Sequence, residues 1–228
     1  MSKDIKTPFG IITPEVSLLP LYYLLFIYGF VYIFPYGKNF IGVSWFDWLR
    51  SEDGPLEWLQ FFQYLFSSLL AFSIYLRRKK KKEINSIIWL FIALLSLVIA
   101  GEEISWGERI FGYSIESITE LSIQDETNFH NLPFFHNYVL DPALQIICIF
   151  LGWIGWRKWP YLTSLPSRKF SLFFLSVSLY FFYYEISWFS TVAHIRNDQE
   201  IFEFLLSTGL FLHCWESFKN LFITEYNR

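Results

Sequence analysis

Six long apolar runs decide what this chain can fold into. They cover Val16–Phe34, Glu57–Leu76, Ser86–Glu103, Val139–Trp156, Phe170–Phe189 and Glu200–Phe222. A helix needs about 20 residues to cross a hydrocarbon layer of about 30 Å, and each run is near that length. The runs are continuous rather than alternating, which disfavours a β-barrel. The expected fold is therefore all-α, a polytopic membrane bundle of about six transmembrane helices, with residues 1–228 as a single integral membrane domain. Composition points the same way: 54% of residues are hydrophobic, mean hydropathy is +0.33 and only 17% are charged. That excludes a disordered chain and argues against an ordinary soluble domain. The first run is too long for a signal-peptide core and no small-x-small cleavage site follows it, so it reads as an uncleaved anchor. Cys148 and Cys214 both lie inside apolar runs, so no disulfide framework is implied. A net charge of −3 leaves no nucleic-acid footprint.

Lys and Arg set the expected sidedness. The second and third runs are joined through Arg77-Arg78-Lys79-Lys80-Lys81-Lys82, and the fourth and fifth through Arg157, Lys158, Arg168 and Lys169. With Lys3, Lys6, Lys219 and Arg228, one side holds 14 of the 18 basic residues; Lys38, Arg50, Arg109 and Arg196 remain for the other. Both termini are then cytoplasmic. The basic run reads as a topology signal in contact with anionic lipid. Acidic residues divide the opposite way, 16 of 21 at the outer side or its boundary, together with His130, His136 and His194. Function is expected at the outer face.

Helix electrostatics sorts those carboxylates. Glu57, Glu200 and Glu203 sit at expected helix N-termini, where the dipole favours an anion and a simple cap is the plain reading. Glu102, Glu103 and Glu185 sit at expected C-terminal ends, where the dipole opposes an anion by about 0.3–1 kcal/mol. Those three call for a compensating cation, metal or proton. Glu102, Ser105 and Arg109 fall at i, i+3 and i+7, one face of a helix that continues past Glu103. Glu57, Gln60, Tyr64 and Ser67 repeat the pattern on the second run, and Glu200, Glu203 and Ser207 on the sixth. Such stripes would line an outward-opening pocket between helices. The alternative is an interhelical hydrogen-bond lock, with Arg109 serving only as the ion-pair partner of Glu102.

The segment Asn128-Phe129-His130-Asn131-Leu132-Pro133-Phe134-Phe135-His136-Asn137 presents Phe-His-Asn twice, and Pro133 is expected to break any helix there. His130, His136 and His194 beside carboxylates match the ligand set of zinc or another divalent metal. There is no HExxH or paired-Cys spacing, and each His alone also reads as an interfacial hydrogen-bonding residue. His213, deep in the sixth run, reads as a buried packing residue with one hydrogen bond. Two weak echoes, Glu103-Ile104-Ser105-Trp106 with Glu185-Ile186-Ser187-Trp188, and the 52–58 segment with the 197–204 segment, fit either a duplicated three-helix unit or chance.

Three segments carry a resemblance: Glu52-Asp53-Gly54-Pro55-Leu56-Glu57-Trp58, Gly101-Glu102-Glu103-Ile104-Ser105-Trp106-Gly107-Glu108-Arg109-Ile110-Phe111-Gly112, and Asp125-Glu126-Thr127-Asn128-Phe129-His130-Asn131-Leu132. On these the chain resembles a family of bacterial multi-pass membrane proteins of unassigned function, which implies a place in a bacterial inner membrane and no particular activity. Two families with known chemistry are near misses. Intramembrane glutamic proteases carry Glu-Glu-x-x-x-Arg, but Glu102-Glu103 is followed by Gly107 at the Arg position, and only His194-x-x-x-Asp198 is similar to a further element. Alkaline ceramidase-like hydrolases use Ser-x-x-x-His, as in Ser190-x-x-x-His194, but no His-x-x-x-His follows.

Three functions compete at this stage. The first is a metal-dependent, membrane-embedded hydrolase or transferase acting on a lipid or lipid-linked substrate from the outer face. In it Glu103, Glu185 and Glu102 are catalytic, with Glu103 or Glu185 as general base. His130, His136 and His194 hold the metal. Arg109 takes an anionic headgroup, and Glu57, Glu203, Ser105 and Asn128 complete the substrate site. The second is an ion-coupled transporter whose Glu57, Glu103, Glu185 and Glu203 bind protons or cations. The third is a structural or assembly subunit whose carboxylates only lock the helices. The expected partner is the lipid bilayer, not nucleic acid.

Overall fold

The computed structural model describes residues 5–7, 10–12, 14–33, 43–51, 54–122, 127–129, 132–185 and 198–226. Among them the chain is helical apart from a small antiparallel hairpin, β1 (Ile5–Thr7) and β2 (Gly10–Ile12), with Ile5 opposite Ile12. Helix α1 (Pro14–Leu24) widens into π-helical turns over Leu25–Ile33 beyond Pro20. A short α2 (Val43–Leu49) precedes two uninterrupted apolar helices, α3 (Pro55–Lys80) and α4 (Ser86–Glu103). Between α4 and the next long helix lie α5 (Glu108–Phe111), α6 (Glu116–Thr119) and α7 (Pro133–Tyr138). Then come α8 (Leu140–Ile149), π-helical turns over Phe150–Ile154, and α9 (Gly155–Lys158). A 3-10 turn at Arg168–Phe170 leads into α10 (Ser171–Glu185), and α11 (Gln199–Tyr226) closes the bundle.

Local chemistry explains the ends of α3. Pro55 occupies its first turn, where a missing N–H costs nothing. Gly54 before it is required by packing: a Cβ there would lie 2.5 Å from the carbonyl oxygens of Trp48 and Ser51. Arg77, Arg78, Lys79 and Lys80 fill the last turn, where cations complement the dipole. The helix thus runs four residues beyond the apolar stretch, to Lys80, because long basic side chains can reach the interface.

The buried face of α4 reads Ser86, Trp89, Ala93, Ser96 and Ala100, alternating three- and four-residue steps. It packs on α3, where Ala71 and Ile74 cluster with Trp89 and Ala93. Small side chains let two backbones approach closely where lipid supplies no hydrophobic drive. A second cluster gathers Phe173, Phe174, Val177 and Phe181 of α10 with Ile201, Phe202 and Leu205 of α11. Gly209 makes that contact close, since a Cβ there would meet Phe173 at 2.6 Å.

The outward faces are as apolar as the core. Leu59, Phe62, Phe66, Leu69, Phe72 and Leu76 of α3 are exposed, as are Ile87, Phe91, Leu94, Leu95 and Val98 of α4. Contiguous apolar surface on this scale marks a face meant for a non-aqueous neighbour. Helices α3 and α4 are each long and apolar enough to cross a membrane. The described residues form an all-α fold in which α3 and α4 are candidate membrane spans.

Two local expectations are corrected. Pro133 does not break a helix; it starts one, as the first residue of α7, where its fixed φ suits the entry. Nor does α4 continue through Ser105. It ends at Glu103, and the backbone turns left-handed at Ser105 (φ 47), Trp106 (φ 55) and Gly107 (φ 81).

Candidate functional site

Three helix ends bring carboxylates together. Glu103, the last residue of α4, lies within electrostatic reach of Glu203, Glu200, Glu57 and Glu102. Glu57 is in the first turn of α3 and Glu200 in the first turn of α11. Tyr64, buried about two and a half turns into α3, lies within electrostatic reach of Glu103, Glu203 and Glu200 as well. Gln60 is wholly buried between them, and its Nε2 donates to Glu200 Oε2 at 2.7 Å. Its Oε1 has no hydrogen-bond partner among the described residues. Gln199 Nε2 donates to Glu203 Oε1 at 2.8 Å. One turn deeper, Gln63 Nε2 donates to Thr208 Oγ1 at 3.0 Å, while Ser207 Oγ donates to Gln63 Oε1. The inner seam between α3 and α11 is thus polar at two levels: carboxylates with Gln60 and Tyr64 above, and a Gln63–Ser207–Thr208 lock below.

Glu102 is committed differently. Its two oxygens accept from Trp106 Nε1 at 2.6 Å and from the Phe129 backbone N–H at 2.9 Å. Asn128 Nδ2 donates to Ser105 Oγ at 3.1 Å, and the Thr127 N–H donates to Glu108 Oε2 at 2.7 Å. Three consecutive residues of the connection, Thr127, Asn128 and Phe129, are therefore fixed to Glu108, Ser105 and Glu102 at three-residue steps. This strap lies over the left-handed turn and accounts for it. A non-glycine residue in the left-handed region costs about 1–2 kcal/mol, and Ser105 and Trp106 both adopt it. Hydrogen bonds to charged groups contribute about 1.5–3 kcal/mol each, so the two carboxylate bonds of the strap offset the strain. The turn throws the Trp106 ring back over the end of α4, where a Cβ on Gly101 would lie 2.8 Å from it. Tyr113 OH donates to the Trp106 carbonyl at 2.6 Å and completes the fold-over. Backbone strain held in place by surrounding bonds is a common property of functional sites.

Gly107 tests the strap. At φ 81 it has the one residue type that adopts this geometry freely, and a Cβ would also meet the Phe111 ring at 2.9 Å. Gly107→Ala is expected to destabilise by about 1–2 kcal/mol. It should also open the 113–129 connection to proteolysis before the bundle unfolds. Unchanged protease resistance and unfolding temperature would count against the strap.

Of the residues singled out from sequence, Glu57, Glu103 and Glu203 come together. Glu102, Ser105 and Asn128 belong to the strap beside them. The side chains of Arg109, His136 and Glu185 lie outside the described residues, as do His130 and His194 altogether and the 186–188 echo. Among the described residues no three His, Cys, Asp or Glu side chains converge to hold a metal. His213 is buried far from this cluster; its Nε2 makes a 3.1 Å bond to the Ser164 carbonyl and its ring stacks on Trp89.

Sequence reasoning missed a buried ion pair next to the same helix ends. Arg50 Nη1 donates to Asp198 Oδ1 at 2.7 Å and Nη2 to Asp47 Oδ1 at 2.8 Å. Tyr28 OH donates to Asp198 Oδ2 at 3.0 Å. Asp198 is fully buried and Arg50 nearly so. The i, i+3 spacing of Asp47 and Arg50 was the local signal; nothing local marks their link to Asp198, 148 residues away in sequence.

The chemistry available is that of carboxyl groups, a phenol and an amide at one polar end of an apolar bundle. Neighbouring carboxylates repel one another, and a shared proton or a nearby cation relieves that repulsion. No family model, no curated protein and no solved structure matches the chain.

Proposed function

We propose that the chain is a six-span membrane protein with both termini cytoplasmic, akin to the bacterial multi-pass proteins it resembles. Its activity is that of a membrane-embedded hydrolase or transferase on a lipid-type substrate at the outer face. The observation that carries this reading is Glu103 gathered with Glu57, Glu200 and Glu203 around Tyr64 on three helix ends. Neighbouring carboxyls in unlike surroundings divide into an acid and a base. Glu103, at the unfavourable end of its helix dipole, takes the proton of an attacking water or alcohol. Glu203 or Glu57 returns a proton to the leaving oxygen. Gln60 and Tyr64 orient the pair, and Arg109, following the strap, takes an anionic headgroup. A divalent metal on His130, His136 and His194 would supply a more acidic water. Apolar outer faces on α3 and α4 give a lipid tail a route to the site.

The test is conversion of lipid. Purified protein is incubated with a bacterial lipid extract and the products are read by mass spectrometry. One lipid class should be consumed by the wild type and spared by Glu103→Gln. A carrier reading is favoured by one feature, the unpartnered Gln60 oxygen among carboxylates, which suits a proton or cation. Pumping into sealed vesicles without lipid conversion would select it. Sidedness is checked separately: reporter fusions after Lys82 should report the cytoplasm and after Glu120 the outer side. The reverse result would move the site to the inner face.

A further inference from the structure

A cavity at the opposite end of the bundle carries chemistry unrelated to the carboxylates. About 300 Å³ of space lies between the connection that follows α9 and the last turns of α11. At about 30 Å³ per water, it has room for about ten water-sized volumes, enough for a phosphodiester and a glycerol. Trp156 and Trp159 form flat walls, Arg168 lies at the rim, and Ser217 and Asn220 offer polar groups from α11. The Arg168 guanidinium stands 5.7 Å from the Trp156 ring centroid, and Arg157 lies 3.7 Å from that of Trp153. Glu216, the carboxylate lining the cavity, is ion-paired with Lys169, so its charge does not repel an anion. Arg168 is thus the cation that lines a cavity whose single lining carboxylate is already paired with Lys169. Tryptophan walls are the usual companions of headgroup-level sites, and basic pockets between helices on the cytoplasmic side suit anionic lipid headgroups.

We infer that this cavity binds the phosphate and glycerol of one anionic glycerophospholipid from the cytoplasmic leaflet. The lipid phosphate is held by Arg168, the glycerol by the polar groups of α11, and the upper acyl carbons lie against Trp159. The inference rests on the proposed sidedness only for the choice of leaflet. A phosphoglycerol compound free in solution carries the same headgroup chemistry, and the experiment separates the two sources.

Full-length protein is placed in nanodiscs of phosphatidylcholine with phosphatidylglycerol, transferred to detergent and examined by native mass spectrometry. One retained phosphatidylglycerol per chain is expected, at least tenfold over phosphatidylcholine. Arg168→Gln should abolish that preference, and Lys80→Ala with Lys81→Ala, exposed elsewhere in the basic face, should leave it intact. Thr163→Trp, which fills the cavity from an exposed loop position without removing charge, should also abolish it and guards against misfolding of the first variant. Equal retention of the two lipids, or equal loss from the Lys80/Lys81 variant, would overturn the inference. Displacement by millimolar glycerol 3-phosphate would assign the site to a soluble ligand instead. The reporter fusions judge sidedness independently: retention with reversed fusions would keep the pocket and change only the leaflet.

Discussion

Glu103→Gln is expected to lower lipid turnover by about 100- to 10,000-fold, the range a positioned general acid or base contributes. The substitution keeps size and one hydrogen-bond acceptor but removes the group that exchanges a proton. The loss should fall on kcat rather than KM, because the transition state, not lipid binding, depends on that proton. Glu102→Gln gives the contrast. Glu102 holds Trp106 and Phe129 rather than the cluster, so its replacement should weaken the strap and change kcat far less. Equal losses from the two variants would mean that Glu103 acts through structure alone. The same comparison, read as kcat against thermal stability, separates a catalytic carboxylate from a locking one without knowledge of the substrate's headgroup.

Arg50→Ala is expected to be the most destabilising single substitution among the described residues. It would leave Asp198, fully buried, with Tyr28 as its remaining side-chain donor of those described above. Breaking a buried pair from one side costs about 3–5 kcal/mol. For a chain of this size that corresponds to about 6–20 °C in unfolding temperature. Arg50→Met with Asp198→Asn removes both charges and should recover most of the loss, since a buried pair replaced as a unit is often near neutral. A double variant no better than Arg50→Ala would show that the residues act separately. The pair ties the segment after α2 to the start of α11, close to where Glu200 and Glu203 begin the carboxylate cluster. Its rupture should therefore also disturb the Gln60–Glu200 contact.

What could be read from the sequence depended on the range of the interaction. Helical segments occupy each of the six apolar runs, because a continuous apolar stretch of this length leaves the backbone little choice but to satisfy itself internally. The inward stripe of Gln60, Tyr64 and Ser67 was legible for a similar reason: 3.6-residue periodicity places one face before the structure is known. The strap was not. Helical spacing carried the reading from Glu102 through Ser105 to Arg109, whereas the backbone reverses hand at Ser105 and Trp106, residue types that rarely do so. Gly107 and Gly112 were the available hints. The segments Gly101–Gly112 and Asp125–Leu132 both carry the sequence resemblance, but only folding shows that Thr127 of one bonds to Glu108 of the other. Arg50 and Asp198 were invisible for the same reason; a long-range pair leaves no period in the sequence.

One cross-linking measurement tests both whether the carboxylate-bearing ends of α3, α4 and α11 meet and whether they do so at the proposed outer face. Cysteines replace Glu57 and Glu203 in a chain whose Cys148 and Cys214 have been changed to Ala. A protease site is inserted beside Lys82, in the turn between α3 and α4. Intact cells are treated with a short, membrane-impermeant thiol cross-linker, then solubilised and cleaved. The two fragments should stay joined if both positions flank Glu103 and the proposed sidedness holds. Fragments that separate, or that stay joined only when the membrane was permeabilised before cross-linking, would contradict the gathered outer site and the function proposed for it.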